Sequence, residues 1–194
     1  MGQACSPPGF TAPPVTAGPP RKRRFFWLSY NRRMPHDLAL RFEETIEREA
    51  AHLGRITEAD AAKRPAQDAW SKKQELGHLV DSAANNHVRF VFGSLQPEFR
   101  GPTYDGRGWV ERHGYDHMPW AEILDFWHRY NRFVAALVRR IPEDRMNASC
   151  VIGDGRPVTL QFIIEDYLAH MQHHLDHILQ RENITQYPGA AMGI

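Results

Sequence analysis

The sequence has few cysteines, no long apolar run and almost no net charge, and each absence excludes a class of protein. Its 194 residues contain two cysteines, Cys5 and Cys150, which form no CxxC pair. This pattern argues against a disulfide framework and against a zinc ribbon. No apolar run approaches the roughly 20 residues that a membrane-spanning helix needs. The formal net charge of +1 gives no electrostatic reason to expect nucleic acid or a membrane as a partner. These features predict a cytoplasmic protein without a nucleic-acid or membrane partner.

Proline and glycine are concentrated at the start of the chain. Residues 1–33 contain six prolines, several glycines and the basic run Arg21-Lys22-Arg23-Arg24. Segments of this composition have too few apolar residues to form a packed core. We therefore predict a Pro/Gly-rich, basic tail at 1–33, one domain at 34–185 and a C-terminal tail at 186–194. Four basic residues in a tail are weak support for a nucleic-acid contact, which we do not predict.

Four segments have the apolar periodicity of amphipathic helices. They cover about residues 37–54, 71–94, 119–141 and 160–181. Ser71 followed by Gln74 predicts a capping box at the second helix, and Thr159 is the predicted N-cap of the fourth. Pro119 is predicted at the first position of the third helix. Four long helices with few strands predict an all-α, antiparallel four-helix bundle.

Two connections between the helices carry further signals. Residues 95–118 form a long loop rich in glycine, proline and aromatic residues, and the aromatics predict that it is ordered and packed on the bundle. Residues 148–158 place Gly153-Asp154-Gly155 between short apolar stretches. This pattern predicts a small hairpin directly before the fourth helix.

Four of the eleven histidines lie within eight residues of the fourth helix, at positions 170, 173, 174 and 177. His170 and His174 are one turn apart on one helix face, a spacing that lets two imidazoles converge on one metal ion. The alternative is a solvated, histidine-rich face, which the surrounding apolar stripe disfavours. A zinc or nickel ion would need a third ligand from elsewhere.

The second helix offers that third ligand in His78. Helical periodicity places His78 beside Asp81, Ser82, Asn85 and Arg89, opposite the apolar stripe. Taken alone, this is a polar face turned to solvent. If His78 binds metal, the polar row must instead border an open cleft, in which Ser82, Asn85 and Arg89 would line the substrate side.

The two histidine motifs together resemble the DinB/YfiT-like superfamily. The resemblance rests on Trp70-Ser71, on Gly77-His78-Leu79-Val80-Asp81-Ser82 and on the later His170-x-x-x-His174-x-x-His177-Ile178. It covers about residues 36–180. It implies a four-helix bundle and a metal site formed by His78, His170 and His174. The position of His177 is often glutamine in relatives, so its role as a fourth ligand stays open.

The resemblance also implies a range of activities. Members with known activity are mostly transferases and isomerases that use a low-molecular-weight thiol, and others are described as metal-dependent hydrolases. The resemblance therefore implies a zinc- or nickel-dependent thiol S-transferase that acts on a small-molecule substrate, with a hydrolase of small molecules as the first alternative. A non-catalytic metal-binding stress protein is the alternative of a different class.

Three further hypotheses concern single residues and assembly. Arg89 could pair with a carboxylate of a thiol cosubstrate. Asp81 or Asp166, each one turn from a predicted ligand, could orient an imidazole by a hydrogen bond. A homodimer is compatible with the aromatic area of the long loop. A ferritin-like di-iron bundle would need paired Glu-x-x-His motifs together with two further glutamates. Glu75-Leu-Gly-His78 is one such motif, and we do not predict a di-iron site.

Overall fold

A computed structural model of the chain describes residues 35–188. The predicted N-terminal tail lies outside the described residues, as do residues 189–194 of the predicted C-terminal tail. The predicted boundaries of the domain remain predictions. Within residues 35–188, no helix is both long enough and apolar enough to cross a membrane.

Four long helices form the fold, as predicted. They are α1 (Pro35–Leu53), α3 (Lys72–Leu95), α5 (Trp120–Arg140) and α6 (Leu160–Ile178), and the short helices α2 (Glu58–Ala62) and α4 (Gly106–His113) lie in the connections. Helix α1 packs mainly on α5, and α3 packs on both α5 and α6. The apolar stripes meet in one core whose largest fully buried side chains include Trp127, Tyr167 and Phe42. Burial of these stripes is the main source of the bundle's stability.

The predicted caps of α3 and α6 are confirmed. The Ser71 amide donates to Gln74 Oε1 at 3.0 Å, and the Gln74 amide donates to Ser71 Oγ at 3.3 Å. Thr159 Oγ1 accepts a hydrogen bond from the Phe162 amide at 3.1 Å. The prediction that Pro119 is the first helical residue is wrong by one position. Its ψ of 137° is not helical, so Pro119 is the N-cap and α5 begins at Trp120.

A three-stranded sheet lies beside the bundle. Its strands are β1 (Glu98–Gly101), β2 (Ser149–Ile152) and β3 (Val158–Thr159), in the order β1-β2-β3. Strands β2 and β3 form the predicted antiparallel hairpin, and β1 pairs with β2 in parallel, with Phe99 opposite Cys150. The predicted loop at 95–118 is therefore more regular than expected, since it contains β1, α4 and the 3-10 turn Tyr115–His117. It is ordered and packed on the bundle, as its aromatic residues indicated.

The second half of that segment covers one face of α3. Tyr115 is buried, and its hydroxyl donates to Asp81 Oδ1 at 2.7 Å. Its ring lies directly on Gly77, where an added Cβ atom would lie 2.2 Å from the Tyr115 Cδ2 atom. The absence of a side chain at position 77 therefore allows the segment to pack this closely on α3.

Replacement of Gly77 by alanine should lower the free energy of unfolding by about 2 kcal/mol, because overpacking of the fixed Tyr115 ring outweighs the gain in helix propensity. The measurement is equilibrium unfolding in urea. In a Tyr115→Ala background the same change should be neutral or stabilising, since the clash is then absent. An equal loss in both backgrounds would show that the close contact does not determine the cost.

Candidate metal centre

Helices α3 and α6 bring the three predicted histidines together. The Nε2 atoms of His78 and His170 are 3.3 Å apart. One ring nitrogen from each of His78, His170 and His174 lies within 4.8 Å of the others. Because α3 packs on α6 along this region, residues that are 92 positions apart in the sequence meet at one point.

Hydrogen bonds orient two of the three rings. His174 Nδ1 lies 2.8 Å from Glu75 Oε1, and a carboxylate can only accept, so this nitrogen carries the proton. His170 Nδ1 lies 3.3 Å from Ser82 Oγ. Because Glu75 accepts at Nδ1, the Nε2 atom of His174 has its lone pair available, and Ser82 Oγ can accept from His170 Nδ1 to give the same tautomer there. Metal-binding histidines are oriented in this way, through the ring nitrogen that does not bind the metal.

Burial keeps the inner imidazoles neutral. It lowers the pKa of His78 to about 3, with a further contribution from the neighbouring His174. Burial also lowers the pKa of His170 far below its ordinary value, assisted by His174 and His78. Both imidazoles are therefore in the neutral form at neutral pH. A neutral imidazole is the form that binds a metal ion.

The donor set fits a divalent ion such as zinc or nickel. Three neutral imidazole nitrogens converge, and imidazole ligands suit both metals. A catalytic zinc site uses three protein ligands and keeps further positions open for water or substrate. The Nδ1 atom of His78 is buried without a hydrogen-bond partner. The Nε2 atom of His78 is the one directed at His170.

A family model described as the DinB superfamily matches residues 41–178. The chain belongs to the DinB superfamily. A protein of Halalkalibacterium halodurans named "putative metal-dependent hydrolase" is 22% identical over 125 residues, which cover 64% of this chain and 72% of that protein. The structure of YfiT from Bacillus subtilis, reported as "a probable metal-dependent hydrolase with an unusual four-helix bundle topology", has a TM-score of 0.64 at 21% identity. The match covers 73% of this chain and 84% of YfiT, and it confirms the predicted fold.

Aromatic rings surround the three histidines of this DinB-superfamily protein. The ring centroid of Trp70 lies 5.1 Å from that of His78, and Tyr104 stacks on the same imidazole at 6.4 Å. Tyr187 lies 4.9 Å from His170. Sequence analysis did not identify Tyr187, because it falls in the predicted C-terminal tail and belongs to no helical pattern.

A buried ionic network holds the segment that carries Tyr187. Arg181 bridges two carboxylates at 2.7 Å each, Glu49 on α1 and Asp176 on α6. Asp176 Oδ2 also accepts hydrogen bonds from the amide and the hydroxyl of Thr185, at 2.9 and 2.7 Å. The chain is thereby fixed two residues before Tyr187, and its ring is directed at the histidines.

The prediction that the polar face of α3 borders an open cleft is wrong. Ser82 and Arg89 are only 2% and 7% exposed, and His78 is 8% exposed. Tyr104 and Tyr115, from the segment that folds over α3, cover this face. Helical periodicity identified the polar row correctly, but it could not show that a distant segment packs on it.

The predicted substrate-side residues of the DinB-superfamily chain make internal contacts. Arg89 donates to Pro102 O at 3.4 Å and to Asn86 Oδ1 at 3.5 Å. Burial lowers the pKa of Arg89, and the charge of Asp166 opposes this shift. The half-buried Asn85 donates to the Asp81 carbonyl in its own helix at 3.0 Å. Of the three candidates, Ser82 is the one in hydrogen-bond contact with a histidine of the centre.

Asp81 does not take the predicted orienting role toward a ligand. Its Oδ1 atom accepts from the Tyr115 hydroxyl at 2.7 Å and lies 2.8 Å from His113 Nδ1, while Oδ2 is buried without a partner. Burial raises the pKa of this carboxyl. Glu75 contacts a histidine of the centre instead. The Glu-x-x-His spacing of Glu75 and His78 had marked Glu75 as a possible metal ligand. In the structure, Glu75 instead accepts a hydrogen bond from His174.

His177 lies outside the cluster of the three histidines. Its side chain is exposed, and its ring centroid is 6.3 Å from that of His174. It packs against His173, with 4.6 Å between the ring centroids. The structure thus gives no support to His177 as a fourth ligand.

Proposed function

We propose that this protein is a metal-dependent enzyme in which His78, His170 and His174 hold one zinc or nickel ion and which transfers a group to a low-molecular-weight thiol. The observation that carries the proposal is the convergence of three imidazoles, two of them oriented through Nδ1 by Glu75 and Ser82. Membership of the DinB superfamily agrees with a metal-dependent site.

The chemistry follows from the donor set and its surroundings. A divalent ion in such a site acts as a Lewis acid that lowers the pKa of a coordinated thiol or water. The chain contributes the orientation of the imidazoles through Glu75 and Ser82. Trp70, Tyr104 and Tyr187 pack against the imidazoles and reduce their contact with solvent, which strengthens electrostatic interactions there.

The state of the nearby carboxylates favours a thiol over water as the nucleophile. Hydrolysis by a metal-coordinated water commonly uses a carboxylate as general base. Here Glu75 is engaged by His174, Asp81 by Tyr115, and Asp166 lies near the charge of Arg89. A coordinated thiol loses its proton without a dedicated base.

Hydrolysis of a small molecule is the second candidate. It is favoured by the two relatives, since both carry the description of a metal-dependent hydrolase. The third hypothesis, a non-catalytic metal-binding protein, differs from both because it requires no turnover of any substrate.

An activity comparison separates the three functions. The zinc- and nickel-loaded protein is assayed for thiol conjugation to an electrophilic probe with glutathione, bacillithiol and mycothiol, and for hydrolysis of nitrophenyl esters. We expect conjugation with at least one thiol and its loss in His170→Ala. Ester hydrolysis without conjugation would favour the hydrolase. Stoichiometric metal without either activity would favour the non-catalytic protein.

Replacement of Glu75 by glutamine should weaken metal binding about 10- to 100-fold, because loss of an orienting carboxylate reduces the basicity and fixation of the ligand. The measurement is a competition titration against a chromophoric chelator. Glu122→Gln, at an exposed position in the first turn of α5, removes the same charge away from the centre and should leave the affinity unchanged. Equal affinities of all three proteins would refute the role of Glu75.

We also propose a small-molecule substrate and a cytoplasmic location, as expected from the sequence. A homodimer remains a hypothesis, and the exposed rings of Phe126 and Phe133, at 55% and 56%, offer an apolar surface on α5 for it. This surface is separate from the long loop on which that expectation was based.

A further inference from the structure

A cleft of about 750 Å³ lies at the end of the bundle where α3 begins and α6 ends. Its wall combines the connection after α1, helix α2, the segment before α3 and the end of α6. The polar and charged lining includes Arg55, Asp60, Lys63, Arg64, Lys72 and Glu75. A cleft of this size matches the space that a small organic ligand occupies.

Positive charge predominates in this cleft. Four cationic side chains line it, against the two carboxylates of Asp60 and Glu75. Glu75 is hydrogen-bonded to His174, whose metal-binding form is neutral, so Glu75 keeps its negative charge and the four cations still outnumber the carboxylates of the lining. The pKa of Asp60 lies below its ordinary value because of hydrogen bonds from Lys63 and Thr57 and the charges of Lys63 and Lys72. The cleft therefore attracts anions.

Three of the cations are held in place by neighbouring groups. Lys63 Nζ lies 2.7 Å from Asp60 Oδ1, and Arg64 Nη2 lies 2.6 Å from Asp116 Oδ2. Lys72 Nζ donates to the Ile178 carbonyl at 2.7 Å. A carbonyl does not neutralise an ammonium group, so the full charge of Lys72 acts on the cleft. Cations fixed before binding lose less conformational entropy when an anion arrives.

Arg55 supplies the group that is free to move onto a ligand. It is exposed, and within residues 35–188 its guanidinium makes no hydrogen bond or ion pair. A guanidinium presents a planar fork of donors that matches a carboxylate or a phosphate. The fixed cations and this unpaired one thus face the same space.

The cleft adjoins the three-histidine centre but does not include it. Trp70 lines the cleft and also packs on His78, with 5.1 Å between the ring centroids. Glu75 lines the cleft and contacts His174 at 2.8 Å. Trp70 and Ile178 provide an apolar surface for the carbon skeleton of a ligand.

We propose that this cleft, with Arg55 and Lys72 as its main contacts, binds a small organic molecule that carries two or more anionic oxygen groups. The shared chemistry is that of carboxylates and phosphates. The site is separate from the metal ligands, so its occupation does not depend on the proposed enzymatic activity.

Calorimetric titration of the full chain at low salt tests the proposal. The probes are tricarballylate for carboxylates, inorganic phosphate for phosphates, and glycerol as an uncharged control. We expect one of the two anions to bind to a single site, glycerol not to bind, and Arg55→Gln to weaken binding at least tenfold. The anion that binds more tightly identifies the class of ligand.

Two matched variants locate the bound anion. Arg41→Gln removes the same charge from an exposed position on α1, about 20 Å from Arg55 by helix rise, and should leave binding unchanged. His170→Ala should also retain binding, whereas its loss would place the anion on the metal centre and overturn the proposal. Absence of binding by both anions, or equal weakening by the two arginine variants, would refute it as well.

Discussion

Replacement of His170 by alanine should reduce the bound divalent metal from about one ion per chain to background. The three rings form a nearly equilateral triangle. The ring centroid of His170 is 4.6 Å from that of His174 and 5.2 Å from that of His78, and those of His78 and His174 are 4.6 Å apart. Two remaining imidazoles cannot hold the ion in competition with solvent and buffer. The measurement is elemental analysis of the purified protein after dialysis.

Two further variants make the experiment specific. His78→Ala should give the same loss, although the residue lies on another helix. His177→Ala removes a histidine from the same helix as His170 but outside the cluster, and it should retain the metal. Stoichiometric metal in both His78→Ala and His170→Ala, or an equal loss in all three, would reject the three-histidine site.

Replacement of Glu49 by alanine should lower the free energy of unfolding by about 2–3 kcal/mol. Glu49 is fully buried, and its removal leaves Arg181 without one of its two carboxylate partners. The expected cost is below that of a fully buried pair, because the side chain of Arg181 is one-third exposed. The loss in the free energy of unfolding is measured by equilibrium unfolding in urea. The control is Glu47→Ala, which removes a half-exposed carboxylate and should lower the free energy of unfolding by no more than about 1 kcal/mol.

The same network should make stability depend on pH. Burial alone would raise the pKa of Glu49, but hydrogen bonds and charges from Arg181 and Arg48 outweigh burial and hold it below 4.5. The unfolded chain therefore binds this proton first as the pH falls. The contribution of Glu49 is complete above pH 4.5 and is lost below it. The difference in stability between wild type and Glu49→Ala should narrow over that acidic range, and a constant difference would show that Glu49 acts by packing alone.

Local patterns in the sequence predicted the long helices and part of the site. Ser71 and Thr159 specify helix starts through hydrogen bonds to residues three positions later, which sequence spacing shows directly. The convergence of His170 and His174 follows from a spacing of four residues on one helix. His78 could be added only through the resemblance of two distant motifs to a known family.

Features that depend on contacts between distant segments could not be predicted in this way. The parallel pairing of Phe99 with Cys150 joins strands of four residues, too short for their alternation to be recognised. The burial of Arg89 depends on where residues 103–117 pack. The position of Tyr187 depends on the ionic network formed by Arg181. Each of these requires a tertiary contact that no local period encodes.

The distance in sequence between His78 and His170 has a thermodynamic consequence. A metal ion held by residues of both α3 and α6 would bind the folded chain and not the unfolded one. Bound metal would therefore raise the temperature of thermal unfolding. By mass action, free metal at about 100 times its dissociation constant should add about 2.7 kcal/mol to the free energy of unfolding. Calorimetric melting of chelator-treated and zinc-loaded samples should show this as a higher transition temperature, absent in His170→Ala. Preparations that differ in melting temperature would then differ in metal content rather than in how well they are folded.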